Sequence, residues 1–179
     1  TNGLLLEDKL SSFTKSEKLA FAIHLDGTEE VHDGFTNNPG TYKTAMSALK
    51  KAKNAGYRVT TNTTIFKGSD PDDLHELFSE LTEIGIEGIM LAPGYSYEAV
   101  EDQDQFLGRK ESIEVFQEIL DPEKTKDFDF YNSPIFLDFL RGKTEYPCTA
   151  WAAPTYTVRG GRKPCYVIAD EQLDSVDEL

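Results

Sequence analysis

The residues with chemical capacity fall in three short stretches. His24-Leu25-Asp26-Gly27 sets an imidazole and a carboxylate two positions apart, just before a glycine. Thr60, Thr61, Asn62, Thr63 and Thr64 put hydroxyls around a single amide. Ala92-Pro93-Gly94-Tyr95-Ser96-Tyr97-Glu98 closes an apolar run with small, cyclic and aromatic residues. Taken singly, each has a structural explanation. His24 reads as a hydrogen-bonded core histidine, Asn62 as an interior amide satisfied by backbone, and Asp26-Gly27 as turn chemistry. If the three stretches end parallel strands of one sheet, they lie on one side and form a polar rim around a cleft able to hold a small metabolite.

Other candidates carry less. His24 and His32 are too far apart for an i, i+4 zinc pair, and His75 falls on a predicted solvent face. Asp72, Asp73, Glu76 and Glu80 read as a solvated helical face. Glu101, Asp102 and Asp104 lack EF-hand spacing, and neither a Gly-x-Gly-x-x-Gly nor a P-loop is present. Cys148 and Cys165 stand in YPCTAW and KPCYVI, sixteen residues apart. Two thiols cannot complete a four-thiolate cluster or a structural zinc site. They are small buried residues, or half of a site completed by cysteines beyond Leu179.

The elements that must position these residues alternate. Leu19 to Leu25 reads as a strand, Thr41 to Ala55 as a helix closed by Gly56, and Tyr57 to Phe66 as a β-branched and aromatic strand. Asp70 and Pro71 open a second helix that ends at Gly85, and Ile86 to Ala92 reads as a third strand. This β-α-β-α-β order predicts parallel strands with right-handed crossovers. An open doubly wound sheet and a barrel fragment both fit. A further amphipathic helix is expected from Asp104 to Leu120 and a short one near Pro134–Leu140, within a loop-rich region over residues 127–168. A soft boundary falls at residues 121–130. It separates residues 1–121, the α/β part, from a C-terminal extension over residues 122–179.

Composition narrows the classes. The 179 residues suffice for one domain with a substantial core but are short for a complete eight-stranded barrel. A net charge of -14 argues against a nucleic-acid groove and against docking onto an anionic bilayer by simple charge. No apolar run approaches a membrane span, and no basic-then-apolar leader opens the chain. Two cysteines favour a reducing cytosol over a disulfide scaffold. Thr1-Asn2-Gly3 opens abruptly and DEQLDSVDEL stops within a helix-like pattern, so both ends read as cut from something longer.

The motifs TNG, IHLDG followed by HD, and TTNTTIF resemble the middle of a radical S-adenosylmethionine (SAM) enzyme. In that superfamily TNG follows the third barrel strand and an (S/H)-L-D-G segment ends the fourth. AIHLDGTEEVHD, IMLAPGYSYE, DQDQFLGRK, NSPIFLDFLRGKTEYPCTAW and RKPCYVI resemble the hopanoid-biosynthesis radical SAM proteins, the adenosylhopane synthase family, over nearly the whole chain. The resemblance implies a partial (β/α) radical SAM barrel made of its later strands, with a loop-rich C-terminal extension. It implies SAM and a [4Fe-4S] cluster as cofactors, a flavodoxin or ferredoxin as reductant, and the hopene lipid diploptene as substrate. A 5′-deoxyadenosyl radical would add to the terminal alkene of diploptene to give adenosylhopane. The chain carries no C-x-x-x-C-x-x-C and no Gly-Gly-Glu-Pro-like strand, so the cluster ligands would lie upstream of Thr1. The fragment alone is therefore expected not to cleave SAM.

Carried over residue by residue, the resemblance places Thr1, Asn2, His24, Asp26, Asn62, Ala92 and Pro93 around the cofactor. It leaves Thr36 where many relatives have an arginine after the HD pair. Tyr95, Tyr97 and Trp151 are the expected substrate wall, because a polycyclic hydrocarbon needs a large apolar surface. Cys148 and Cys165 are candidates for an auxiliary metal site. The expected location is cytoplasmic, with peripheral contact at the inner membrane face as an option. Two other assignments remain: a peptide- or small-molecule-modifying radical SAM enzyme, and a non-catalytic α/β metabolite-binding module.

Overall fold

The structure is a computed structural model, and it describes residues 1–96 and 103–147 with the backbone of 155–156 and 162–163. A short helix α1 (Leu6–Lys9) and a 3-10 turn lead into strand β1 (Ala20–His24). Helices α2 (Glu29–Thr36) and α3 (Thr41–Asn54) follow, then β2 (Arg58–Ile65), α4 (Pro71–Ile84) and β3 (Ile89–Pro93). Beyond them lie α5 (Arg109–Ile119), α6 (Pro122–Thr125) and α7 (Pro134–Leu140). Two-residue strands β4 (Thr155–Tyr156) and β5 (Arg162–Lys163) pair antiparallel.

The three longer strands form one parallel sheet in the order β1-β2-β3. Each step moves the same way across the sheet, so right-handed crossovers put α3 and α4 on one face. The reversal that defines a doubly wound sheet is absent among the described residues. Burial agrees with that geometry. Phe21, Ile23, Val59, Thr61, Thr63, Ile65, Ile89 and Leu91 are each no more than 8% exposed. They meet Ala45, Ala48, Leu49 and Ala52 of α3 and Leu74, Leu77, Phe78 and Leu81 of α4, all buried. Small residues on α3 let that helix lie close to the sheet. Gly3 packs against it so tightly that a Cβ would come within 3.1 Å of Ala45 Cα.

The opposite face carries Ala22, His24, Asn62, Thr64, Met90 and Ala92, all half-buried, with Thr60 buried beside Ala22. Parallel sheets normally bury both faces, so a half-open polar face calls for an occupant.

Local chemistry fixes the element ends. Asp70 caps α4 by accepting from Asp72 N–H (2.9 Å), Pro71 occupies its first position, and Gly85 ends it with φ of 75°. Three boundaries differ from expectation. Residues 29–36 form α2, which the sequence reading missed. α5 begins at Arg109, not Asp104, because Gly108 N–H donates to Glu111 Oε2 (3.0 Å) at its N-cap. β3 begins at Ile89, not Ile86, because Gly88 lies against residues 129–131 and a Cβ there would stand 3.1 Å from Tyr131 N.

Both edges of the sheet are continued by single residues. The Thr1 amino group donates to Ala22 O (2.9 Å) and Thr1 O accepts from His24 N–H (2.9 Å), the exchange of a parallel pair centred on Ile23. At the other edge Phe130 pairs with Ile89. The Asn132 carboxamide then accepts from Leu91 N–H (2.7 Å) and donates to Leu91 O (3.1 Å), standing in for the next strand residue. Residues 122–147 thus pack onto the same core, which includes Leu140. Among the described residues no helix is long and apolar enough to cross a membrane.

Candidate functional site

The register brings the polar residues of the open face into rows. His24 pairs with Asn62 and Asn62 with Met90, while Thr64 pairs with Ala92 one row higher. In a parallel ladder, paired residues share a face, so an imidazole, an amide and a hydroxyl converge near the strand C-terminal ends. His24 keeps 38% of its side chain exposed. The half-buried Asn62 amide has no hydrogen-bond partner among the described residues.

Asp26 sits just beyond β1, only 3% exposed, and its carboxylate is fully engaged. Its Oδ2 meets His24 Nε2 at 2.5 Å, and its Oδ1 accepts from Thr64 N–H at 2.8 Å. Its own N–H donates to His32 Nδ1 (3.2 Å). Asp26 therefore ties the end of β1 to β2 and sets the tautomer of His24, rather than offering an oxygen to the cleft. His32, buried on α2, must be neutral at Nδ1 to accept that bond, and desolvation holds its pKa below the usual imidazole value. The loop between β1 and α2 is held from below. Thr28 N–H donates to Asp73 Oδ2 (3.1 Å) and the Thr28 hydroxyl to Asp73 Oδ1. A Cβ on Gly27 would lie 2.6 Å from that same Asp73 oxygen, so the close approach requires glycine.

The other predicted residues are distributed more widely. Thr1 and Asn2 are exposed beside β1 and cap their own turn, with Thr1 Oγ1 accepting from Gly3 N–H and Asn2 Oδ1 from Leu4 N–H. Ala92 and Pro93 are half-buried at the end of β3, and Tyr95 is 45% exposed just past them. Tyr97, Trp151, Cys148 and Cys165 lie outside the described residues. Thr36 turns back into α2, its hydroxyl donating to His32 O (3.0 Å). His75 is not on a solvent face: its Nε2 bonds Ile119 O (2.9 Å) and its ring stacks on Phe128. Asp73 and Glu80 are likewise engaged, Glu80 by the Tyr42 hydroxyl (2.7 Å), which burial and this carboxylate push well above its ordinary pKa. Among the described residues no group of three His, Cys, Asp or Glu side chains is placed to hold a metal.

The structure brings His24, Asp26 and Asn62, which the sequence singled out, together at the strand ends, and adds contacts from His32 and Asp73 that the sequence did not suggest. The Thr28–Asp73 contact spans 45 positions, and no local pattern announces it.

Comparison with known proteins adds the following. Residues 1–81 match the radical SAM superfamily. Residues 89–179 match a domain of unknown function, DUF3463. No curated protein matches. Among solved structures, Streptococcus suis SuiB is similar with a TM-score of 0.63 at 12% identity, over 85% of this chain and 39% of SuiB. SuiB bound to S-adenosylmethionine gives 0.62 at 13% identity, over 89% of this chain and 40% of SuiB. The likeness is one of fold, and the chain spans about two fifths of the solved chains it matches.

Proposed function

Starting from a chain that belongs to the DUF3463 family and whose residues 1–81 match the radical SAM superfamily, we propose that its open sheet face binds SAM and that the enzyme it builds is an adenosylhopane synthase. The observation that supports SAM binding is the half-open row of His24 and Asn62, where a partly exposed imidazole lies beside an amide that has no partner among the described residues. Such groups suit the amino-acid and ribose ends of SAM, which need several hydrogen-bond partners at fixed positions. On this reading the sheet is the later part of a radical SAM barrel. His24, Asn62 and Ala92 face the cofactor, Thr1, Asn2 and Pro93 bound it only at the sheet margin because Thr1 pairs with Ile23 and Pro93 with Ile65 of the buried face, and Asp26 acts through His24.

The residues described do not fit an iron–sulfur cluster, because no thiolate or other ligand set is gathered among them. The reading assigns the cluster to residues ahead of Thr1 and leaves Cys148 and Cys165 as candidates for an auxiliary site. SAM, when bound and reduced by one electron from a flavodoxin- or ferredoxin-type donor, supplies a 5′-deoxyadenosyl radical with release of methionine. The terminal alkene of diploptene gains a bond to the 5′ carbon. A hydrogen atom from a thiol, which the family resemblance places just ahead of Thr1, would complete the product, and a second electron from the same donor with a proton from solvent would restore that thiol. The work of this chain is to orient SAM and alkene and to exclude water and competing hydrogen donors. The hopanoid assignment itself rests on the resemblance of APGYSYE and SPIFLDFL…YPCTAW to that family.

The test is full-length protein with a reduced cluster, incubated with SAM and diploptene and analysed by mass spectrometry. An adenosylated C30 product is expected. Free 5′-deoxyadenosine alone would return the substrate to another member of the superfamily, acting on a peptide or small molecule. Absence of iron and of SAM cleavage would leave a metabolite-binding module.

A further inference from the structure

Where β2 and β3 run out, the open face changes character. Gly94 N–H donates to Ile65 O (2.8 Å), so the Ile65–Pro93 register continues one step and sets Phe66 opposite Gly94. By alternation Phe66 and Gly94 share the face of Asn62, Thr64, Met90 and Ala92. A Cβ on Gly94 would stand 2.6 Å and 2.7 Å from two Phe66 ring carbons and 3.3 Å from Phe106. The Phe66 ring therefore lies across position 94. It meets Phe35 of α2 at 5.2 Å between ring centroids and Phe106 at 6.1 Å. Phe35 is 41% exposed, and Phe66 and Phe106 are half-buried. Three rings from the segments after β1, β2 and β3 thus form one shelf directly above the polar rows.

We infer that Phe35, Phe66 and Phe106 form the docking shelf for a rigid, apolar, fused-ring hydrocarbon, with Gly94 making room for the central ring. The inference rests on the reading that SAM occupies the polar rows beneath. An alkene that reacts with the 5′ carbon must lie on this same face, and phenylalanine offers it ring surface with no polar handle. A polar substrate lying there would leave its own donors and acceptors unpaired, which disfavours it. Three contiguous rings past the strand ends, one exposed and two half-buried, in a chain with net charge -14, mark a binding surface rather than scattered apolar residues.

The probe is the fused-ring hydrocarbon pyrene, whose emission bands report transfer from water to an apolar site, titrated into the full chain beside a separate SAM titration. Saturable pyrene uptake is expected. Phe66→Ala, Phe35→Ala and Gly94→Ala should each weaken it roughly tenfold while leaving SAM affinity within about twofold. Should Phe66→Ala fail to fold, Phe35→Ala carries the prediction, because Phe35 is the most exposed of the three at 41%. Absence of saturable uptake, uptake unchanged in Phe35→Ala and Gly94→Ala, or parallel loss of SAM affinity would overturn the shelf. The shelf and the hopanoid reading can fail separately. Phe66-dependent pyrene binding without adenosylation of diploptene would keep the shelf and remove the substrate. Adenosylhopane formation with an unchanged KM for diploptene in Phe35→Ala and Phe66→Ala would do the reverse.

Discussion

Asp26 is the residue whose surroundings say most about its work. Both carboxylate oxygens are spent inside the protein, on His24 Nε2 and Thr64 N–H, so in the proposed SAM site Asp26 would act through the imidazole. Asp26→Asn would keep an acceptor for Thr64 but present an N–H to His24, moving the ring proton from Nε2 to Nδ1. The expected result is a changed His24 tautomer in nitrogen NMR, a retained fold and SAM affinity weakened roughly tenfold. An unchanged affinity with a flipped tautomer would take His24 out of the site. His32 gives a pH prediction with a definite sign. Burial lowers its folded pKa below the ordinary 6.5, so the unfolded chain takes up a proton that the folded chain resists. Its contribution is whole above the unfolded pKa and is lost as pH falls from about 6.5 toward the folded value. Urea unfolding from pH 7.5 down to roughly 5 should show stability falling, and His32→Gln should flatten that slope. An identical slope in both proteins would mean that other groups carry it.

At the scale of elements, the sheet depends on devices at its edges. The Asn132 carboxamide satisfies both backbone groups of Leu91, the residue before Ala92 and Pro93. Asn132→Ala should lower the unfolding free energy by about 1–2 kcal/mol and raise hydrogen exchange at Leu91 more than at Val59. Uniform loss of protection across the sheet would show that Asn132 supports the whole core rather than one edge. This bond reaches back 41 positions, which explains why the sequence did not announce it. What was legible is local chemistry. The β-branched and aromatic residues of YRVTTNTTIF marked β2, and Asp70, Pro71 and Gly85 marked both ends of α4. Parallel order then placed His24 and Asn62 in one row. Helix α2 was hidden because EEVHDGFT has only Val31 and Phe35 as large apolar residues, and its hold on the fold comes through His32 and through Asp33. Asp33 accepts from Tyr42 N–H (2.8 Å) and Gly40 N–H (2.5 Å) to cap α3, which lowers its own pKa. The aromatic shelf was hidden for a related reason, since its rings come from three segments that only the register brings together.

At the scale of the molecule, the proposed function asks an acidic chain to take a hydrocarbon that dissolves in membranes rather than in water. With a net charge of -14, the chain should be repelled by an anionic bilayer, while apolar rings at the strand ends favour contact with any bilayer. These two terms respond differently to salt. Charge repulsion is screened as the Debye length shrinks from about 10 Å at 0.1 M to about 3 Å at 1 M, whereas apolar contact is not weakened. On the proposed function, and if the acidic balance of these 179 residues holds in the full-length enzyme, diploptene should be adenosylated faster from zwitterionic vesicles than from anionic ones at low ionic strength. The gap should close as salt is raised, mainly through faster turnover on the anionic vesicles. Phe35→Ala should slow both without changing the salt dependence, because it alters the apolar term alone. Faster turnover on anionic vesicles at low salt would require a local basic docking surface that outweighs the overall charge. A salt response altered by Phe35→Ala would mean that the shelf and the charge act at one contact rather than two.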